Sequence, residues 1–283
     1  ICMKKCLTLS TVSVLLFAFF SFADTFVNKQ TGETFHGYLT GTENAGLWDC
    51  NTIEKGLVKI NLYNFAVTRD SKGRNNIVAV FDISDIMSGM ETSAFEEGLK
   101  NAAAQGPLFI LLEIDSPGGR VDLCKRMCAA VKDLKNCDTF AYIRGGKHGG
   151  AYSAGAALAL ACDKIYMTPG TVIGAATMIA VDSNGKPTDM KHALGEEVGE
   201  KMSSAWRNYM ASLAAEKNRP AVMALAMGNQ NIEVLEVNEA GKRFFIDAVN
   251  KKPGYQIIRT WLKKGELLTL TANDALDCGM ADK

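Results

Sequence analysis

A serine set among small residues is the first feature of this chain that could do chemistry. Ser153 stands in Gly149-Gly150-Ala151-Tyr152-Ser153-Ala154-Gly155, at the head of a stretch rich in Ala and Gly. At a helix start a serine most often serves as an N-cap, and small residues there often reflect only close helix packing. The alternative is a nucleophile held at a helix N-terminus, with the N–H of Ala154 ready to receive the negative charge of acyl transfer. One strand earlier lies a second Gly-rich turn, Asp115-Ser116-Pro117-Gly118-Gly119-Arg120. Its glycines let the backbone turn sharply into a helix and leave N–H groups that can bind an anion. A plain tight turn explains Pro-Gly-Gly equally well. The two turns together, one carrying a hydroxyl and both carrying N–H donors, favour a nucleophile with an oxyanion site.

The elements that position these turns alternate in type. Ile77–Ile83, Leu108–Ile114, Thr139–Ile143 and Lys164–Met167 are apolar almost throughout and read as buried strands. Between them, 93–104, 121–134 and 152–162 read as helices. Such alternation predicts an α/β layered domain with a largely parallel sheet. Residues 181–199 are polar and without a clear period, which predicts a mobile loop. Helices are expected at 200–217 and after Arg219-Pro220, a late strand at 267–270, and a short helix ending at Gly279. Upstream, 24–76 holds short alternating runs (34–39, 57–62) and reads as a small β module, with 70–76 a polar linker.

Composition bounds the function. Of 283 residues, 47% are hydrophobic and 22% charged, a globular balance. Lys+Arg and Asp+Glu are both 31, so the basic excess expected of a nucleic-acid binder is missing. Met3-Lys4-Lys5, the apolar run 7–20 and Ser21-Phe22-Ala23 form the pattern of a secretory signal peptide over 1–23. An uncleaved N-terminal membrane anchor is the alternative. Either way 24–283 is expected outside the cytoplasm, in the periplasm or cell envelope. Six cysteines follow, Cys50, Cys124, Cys128, Cys137, Cys162 and Cys278, without metal-ligand spacing. Cys124 and Cys128 lie one helical turn apart on an apolar stripe and read as core. No Walker-type loop is present, so neither ATP, a metal nor another cofactor is implied.

The order strand, Asp-Ser-Pro-Gly-Gly-Arg, helix, strand, Ser-Ala-Gly resembles the Clp-protease/crotonase superfamily. The run Ala159 to Ala176, with Asp163-Lys164-Ile165-Tyr166-Met167-Thr168-Pro169-Gly170, is similar to the membrane-bound serine proteases of the NfeD type, and more distantly to signal peptide peptidase A. The resemblance covers about 77–219 and, weakly, 267–280. It implies a Clp-like layered β-α superhelix over 77–283, a homo-oligomer (dimer or higher) and peptide or membrane-protein substrates in apolar, membrane-near segments. The Clp-type histidine is absent after Ser153; His148 precedes the serine and His192 follows within the polar stretch. NfeD-type proteases instead use a Ser/Lys dyad, and the match of 200–214 followed by Arg219 sets Lys201 at the base position. Lys186 and Lys191 are its rivals. A lysine accepts a proton near neutrality only when burial or neighbouring positive charge disfavours its charged form. Ala, Met and Trp around Lys201 lead us to expect such burial there. The implied mechanism has Ser153 attack a peptide carbonyl, with Gly119 (and Gly118) and Ala154 holding the oxyanion. An extended substrate would pair as an added strand near Arg120-Val121. Three alternatives stay open: a non-catalytic Clp-like scaffold, a crotonase-like acyl-CoA enzyme, and an α/β-hydrolase, which would need Asp then His after the serine.

Overall fold

The computed structural model describes residues 24–39, 47–68, 75–86, 88–134, 137–181, 184 and 186–283. The segment read as a signal peptide, 1–23, and most of the linker at 70–76 lie outside the described residues. The chain divides into two compact units: described residues up to Val78 with Gln105–Leu108, and Ala79–Ala104 with Phe109–Lys283.

The first unit is an antiparallel sheet of β1 (Asp24–Asn28), β2 (Thr34–Leu39), β3 (Trp48–Thr52), β4 (Gly56–Ile60) and β5 (Phe65–Thr68), in the order β4-β3-β2-β1-β5. Alternation places Phe26, Phe35, Cys50 and Ile60 on one face as its small core. Phe26 and Phe35 stack with centroids 5.3 Å apart.

In the second unit the expected alternation is present: β6 (Asn75–Ile83), α1 (Gly89–Ala104), β7 (Pro107–Ile114), α2 (Val121–Asp133), β8 (Asp138–Ile143), β9 (Gly150–Tyr152), α3 (Ala154–Ala161), β10 (Lys164–Met167) and β11 (Val172–Gly174). A four-stranded sheet runs β10-β8-β7-β6, with β8 parallel to both β7 and β10. α3 is buried along its whole length, which explains its Ala/Gly composition: larger side chains would not fit between its neighbours.

The polar stretch 181–199 departs from expectation. It contains the end of a two-stranded hairpin, β12 (Ile179–Val181) with β13 (Pro187–Asp189), then α4 (Met190–Leu194) and the start of α5 (Glu196–Glu216). Asp189 caps α4 through Lys191 N–H, a local bond that hydrophobic periodicity does not report. After α6 (Ala221–Ala226), strands β14 (Val234–Glu239), β15 (Lys242–Asp247) and β16 (Gln256–Leu262) form an antiparallel sheet that the sequence reading did not anticipate. β17 (Thr269–Thr271) and α7 (Ala272–Asp277) close the chain, and β17 pairs with β11, whose other edge takes β9.

Candidate active site

Ser153 sits where β9 passes into α3. Its main chain has φ +51° and ψ −118°, a region that costs a β-carbon-bearing residue strain unless the surroundings enforce it. They do. Ser116 N–H donates to Gly150 O (2.8 Å), Tyr152 N–H to Ser116 O (3.0 Å) and Ser153 N–H to Gly174 O (3.0 Å). The serine side chain makes no capping bond to α3, so the N-cap explanation fails. It lines a cavity of about 780 Å³, together with Gly118, Gly119, Val121, Thr177 and Met190 among others.

The Pro-Gly-Gly turn is shaped by the same site. Gly118 has φ +109°, and a β-carbon on it would lie 2.6 Å from Ser153 Cβ and 3.1 Å from Ser153 Oγ. A β-carbon on Gly119 would lie 2.1 Å from Ile86 O. Ile86 N–H donates to Gly118 O (3.2 Å) and Arg120 N–H to Ile86 O (2.7 Å). In this parallel bridge the N–H and C=O of the intervening Gly119 point away from Ile86. Gly118 N–H is already committed to Ser116 Oγ at 3.1 Å, which leaves Gly119 as the donor of this turn. Ala154 N–H, at the first position of α3, has no intrahelical acceptor.

The main chain of Arg120 is also spoken for, because its C=O accepts from Cys124 N–H at 2.9 Å, and Val121 opens α2. Of the residues Gly119 to Val121, Gly119 is thus the one whose main-chain N–H and C=O point away from these bonds, and Val121 lines the cavity. The Arg120 guanidinium pairs with Asp122 at 2.7 Å on the surface.

Three buried groups hold this half of the site. Asp115, 7% exposed, accepts from the N–H groups of His148 (3.1 Å), Gly149 (2.8 Å) and Gly150 (3.3 Å), fastening the glycine loop that leads to Ser153. Burial alone would raise its pKa, but these bonds and the nearby His148 outweigh it and hold the carboxyl below its ordinary value. At the other end of α3, the buried Arg219 donates to Leu160 O (3.2 Å), Cys162 O (3.0 Å) and Asp163 O (3.1 Å), satisfying carbonyls that would otherwise be orphaned. Trp206 Nε1 donates to Ala176 O at 2.8 Å and pins the segment that follows β11, whose Gly174 O accepts from Ser153 N–H. Sequence reasoning missed these anchoring roles: Asp115 was read only as part of the turn, Arg219 only as a marker of the helix match, and Trp206 as cover for Lys201.

The lysines are arranged differently. Lys201 is exposed and does not line the cavity. The expected burial by its neighbours is not found: Met202 is 42% exposed, and Trp206, 1% exposed, faces the core. The reason is helical phase. At about 100° per residue, Lys201 is turned about 140° from Trp206, and Gly199, Trp206, Met210 and Leu213 form the buried face of α5. Lys186 is exposed as well. Lys191 is bonded to Glu196 (2.8 Å) and Glu200 (3.3 Å), and these bonds raise its pKa, the opposite of what a base requires. The structure thus gathers Ser153, Gly118, Gly119, Ala154, Arg120 and Val121 at one locus and leaves Lys201 on the outer face of α5. His192 is exposed on α4, and His148 borders a neighbouring cavity with Asp82, Arg144 and Asp85, the last of which also lines the Ser153 cavity.

The cysteines offer no rival nucleophile among the described residues. All six are buried, and burial pushes the thiols of Cys162 to about 12 and Cys278 to about 11. Among the described residues no group of three or more His, Cys, Asp or Glu could hold a metal ion. No helix among them is long and apolar enough to cross a membrane.

Comparison with known proteins adds to this geometry. Residues 78–252 match the family model described as NfeD1b, N-terminal domain. The chain is 28% identical over 216 residues to the "Membrane protein NfeD1b" of Bacillus subtilis (strain 168), covering 76% of this chain and 40% of that protein. It is 29% identical over 151 residues to the "Membrane-bound protease PH1510" of Pyrococcus horikoshii, covering 53% of this chain and 32% of that protein. The chain thus spans less than half the length of these relatives. Two solved structures of a "1510-N membrane-bound stomatin-specific protease" share its fold. One is a serine-to-alanine mutant, with TM-score 0.52, 23% identity, 73% of this chain and 78% of that chain. The other is a lysine-to-alanine mutant in complex with a substrate peptide, with TM-score 0.52, 24% identity, 73% of this chain and 74% of that chain.

Proposed function

This chain belongs to the family of NfeD1b N-terminal domains, and from that membership and the geometry around Ser153 we propose that it is a serine endopeptidase. The carrying observation is a serine in a strained conformation, without a capping bond, facing a cavity beside the N–H of Gly119. Ser153 Oγ attacks a peptide carbonyl, and the N–H groups of Gly119 and Ala154 hold the oxyanion. The leaving amine takes the proton that the base removed from the serine, and water releases the acyl group. Lys201 is the base in this reading. It rests on the family's Ser/Lys pattern, and it requires the first turns of α5 to reorient and withdraw Lys201 from water when substrate binds.

Val121, Met178, Ile179, Val181 and Met190 give the cavity apolar walls, which suits apolar substrate segments. A membrane-protein segment of the stomatin kind, named for the solved relative, is the first substrate to try. Export of the chain behind 1–23, its separation into a β module (24–76) and a protease domain (77–283), membrane association and assembly into a homo-oligomer belong to the same proposal.

The exposure of Lys201 favours one second reading, a Clp-like scaffold that binds peptides without cutting them. The two separate when residues 24–283 are incubated with unstructured and apolar peptides and the products read by mass spectrometry. Cleavage by the parent protein, lost in both Ser153→Ala and Lys201→Ala, is expected. Cleavage retained in Lys201→Ala would remove Lys201 from the mechanism. Peptide binding without cleavage would favour the scaffold.

A further inference from the structure

We propose that Thr177 is the polar anchor for the main chain of a peptide bound beside Ser153. This rests on reading the cavity as a peptide site, though not on peptide-bond cleavage. Thr177 Oγ1 is buried and has no hydrogen-bond partner among the described residues. A buried hydroxyl left unpaired carries the full cost of its lost hydration, so native proteins rarely keep one without use. Thr177 also lines the same cavity as Ser153, Gly119 and Ile179.

The main chain on either side of Thr177 is held in place, so a turn about its Cα–Cβ bond is what brings the buried hydroxyl to the cavity. The residue before it is fixed from both sides, Ala176 N–H donating to Met227 O at 2.6 Å and Ala176 O accepting from Trp206 Nε1 at 2.8 Å. The residue after it, Met178, packs against the core. Thr177 therefore keeps its place in the wall between Ala175 and β12, with its hydroxyl one side-chain rotation from the cavity.

The chemistry of the wall selects the ligand group. The charged residues lining this cavity are Asp85, Arg120 and Asp122, and the latter two bind each other. The side-chain pockets are apolar, from Val121, Met178, Ile179 and Met190. An apolar peptide segment brings no polar side chain to Thr177, but each of its residues brings an N–H and a C=O. A hydroxyl, both donor and acceptor, can meet either. Thr177 thus contributes binding that is blind to substrate sequence and sets how far the chain lies from Ser153.

The test is binding without turnover. In the Ser153→Ala protein, a peptide library is selected and the tightest binder is dye-labelled for fluorescence anisotropy. Thr177→Val is expected to weaken binding about five- to tenfold, the scale of one hydrogen bond, while Thr177→Ser keeps it. Replacing the peptide's amides one at a time by esters should reveal one position whose loss matters when Thr177 is present and not in the Thr177→Val protein, in a double-mutant cycle. Thermal melting shows that the variants are folded. Equal affinity for Thr177→Val, or ester effects that are the same with and without the threonine, would overturn the proposal. If the library yields no binder, the peptide-site reading falls and the proposal with it. If peptides bind through Thr177 but the Ser153 protein cuts nothing, only the peptidase reading fails.

Discussion

The two walls of the cavity are built on different principles. The inner wall, made of the Pro-Gly-Gly turn and Ser153 at the head of α3, is fixed by hydrogen bonds that the Asp115 carboxylate and Ser116 Oγ accept and the buried Arg219 guanidinium donates. The outer wall, made of β12 and Met190 of α4, belongs to a segment held by local bonds and surface ion pairs such as Lys191–Glu196. It leaves Ile179 and Val181 61% and 67% exposed. Buried polar contacts are costly to break, whereas exposed pairs contribute little. In the proposed mechanism the half that holds the oxyanion is thus the preorganised one, and the half that admits substrate and brings up a base is the adaptable one.

The largest effect that could break this contrast comes from Gly119. Gly119→Ala pushes a methyl into Ile86 O, and we expect cleavage to fall at least about a hundredfold, as for a lost oxyanion donor, together with a lower melting temperature. Retained activity would show that the turn is not part of the site. Next, Arg219→Met leaves the last carbonyls of α3 without their donor inside the protein. We expect a loss of about 3 kcal/mol in denaturant unfolding.

Asp115→Asn should cost about 2 kcal/mol, because it replaces a charged acceptor of three N–H bonds. Its pH signature has a definite sign. The folded pKa lies below the unfolded one, so the stabilisation is complete above about pH 4 and disappears as pH falls through the lower folded value. Acid unfolding of Asp115→Asn should lack that component.

Smaller still, Ser153→Gly relieves the positive φ and should stabilise by about 1 kcal/mol while removing cleavage. Destabilisation would argue that the serine is structural. On the outer wall, Lys191→Ala should change stability by no more than about 0.5 kcal/mol. A larger loss would erase the difference between the walls.

How much of this could be read in the sequence follows the same division. Ser153, Gly118 and Gly119 were legible because a tight turn before a helix demands particular residue types, and the buried strands because they are apolar throughout. The hairpin and α4 within 179–194 were not, since their short elements are set by a local cap and a two-strand pairing rather than by a hydrophobic period. The sheet of β14 to β16 escaped for a related reason: β14 alone is well buried, and its partners are largely polar or exposed. The outward placement of Lys201 was available in the spacing of Trp206, Met210 and Leu213, which marks the inner face of α5. Counting apolar neighbours along the chain, instead of around the helix, hid it. The orphan hydroxyl of Thr177 depends on what surrounds it in space and carries no sequence signal.

The central claim is that Ser153 is an activated nucleophile. The most direct measurement is intact-mass and peptide-level mass spectrometry after treatment of residues 24–283 with a fluorophosphonate, which reacts with activated serines. The expected result is a single adduct, on Ser153, whose formation rises with pH and is lost in Gly119→Ala and Lys201→Ala. No adduct at any pH, or an adduct on another residue with Ser153 unmodified, would contradict it.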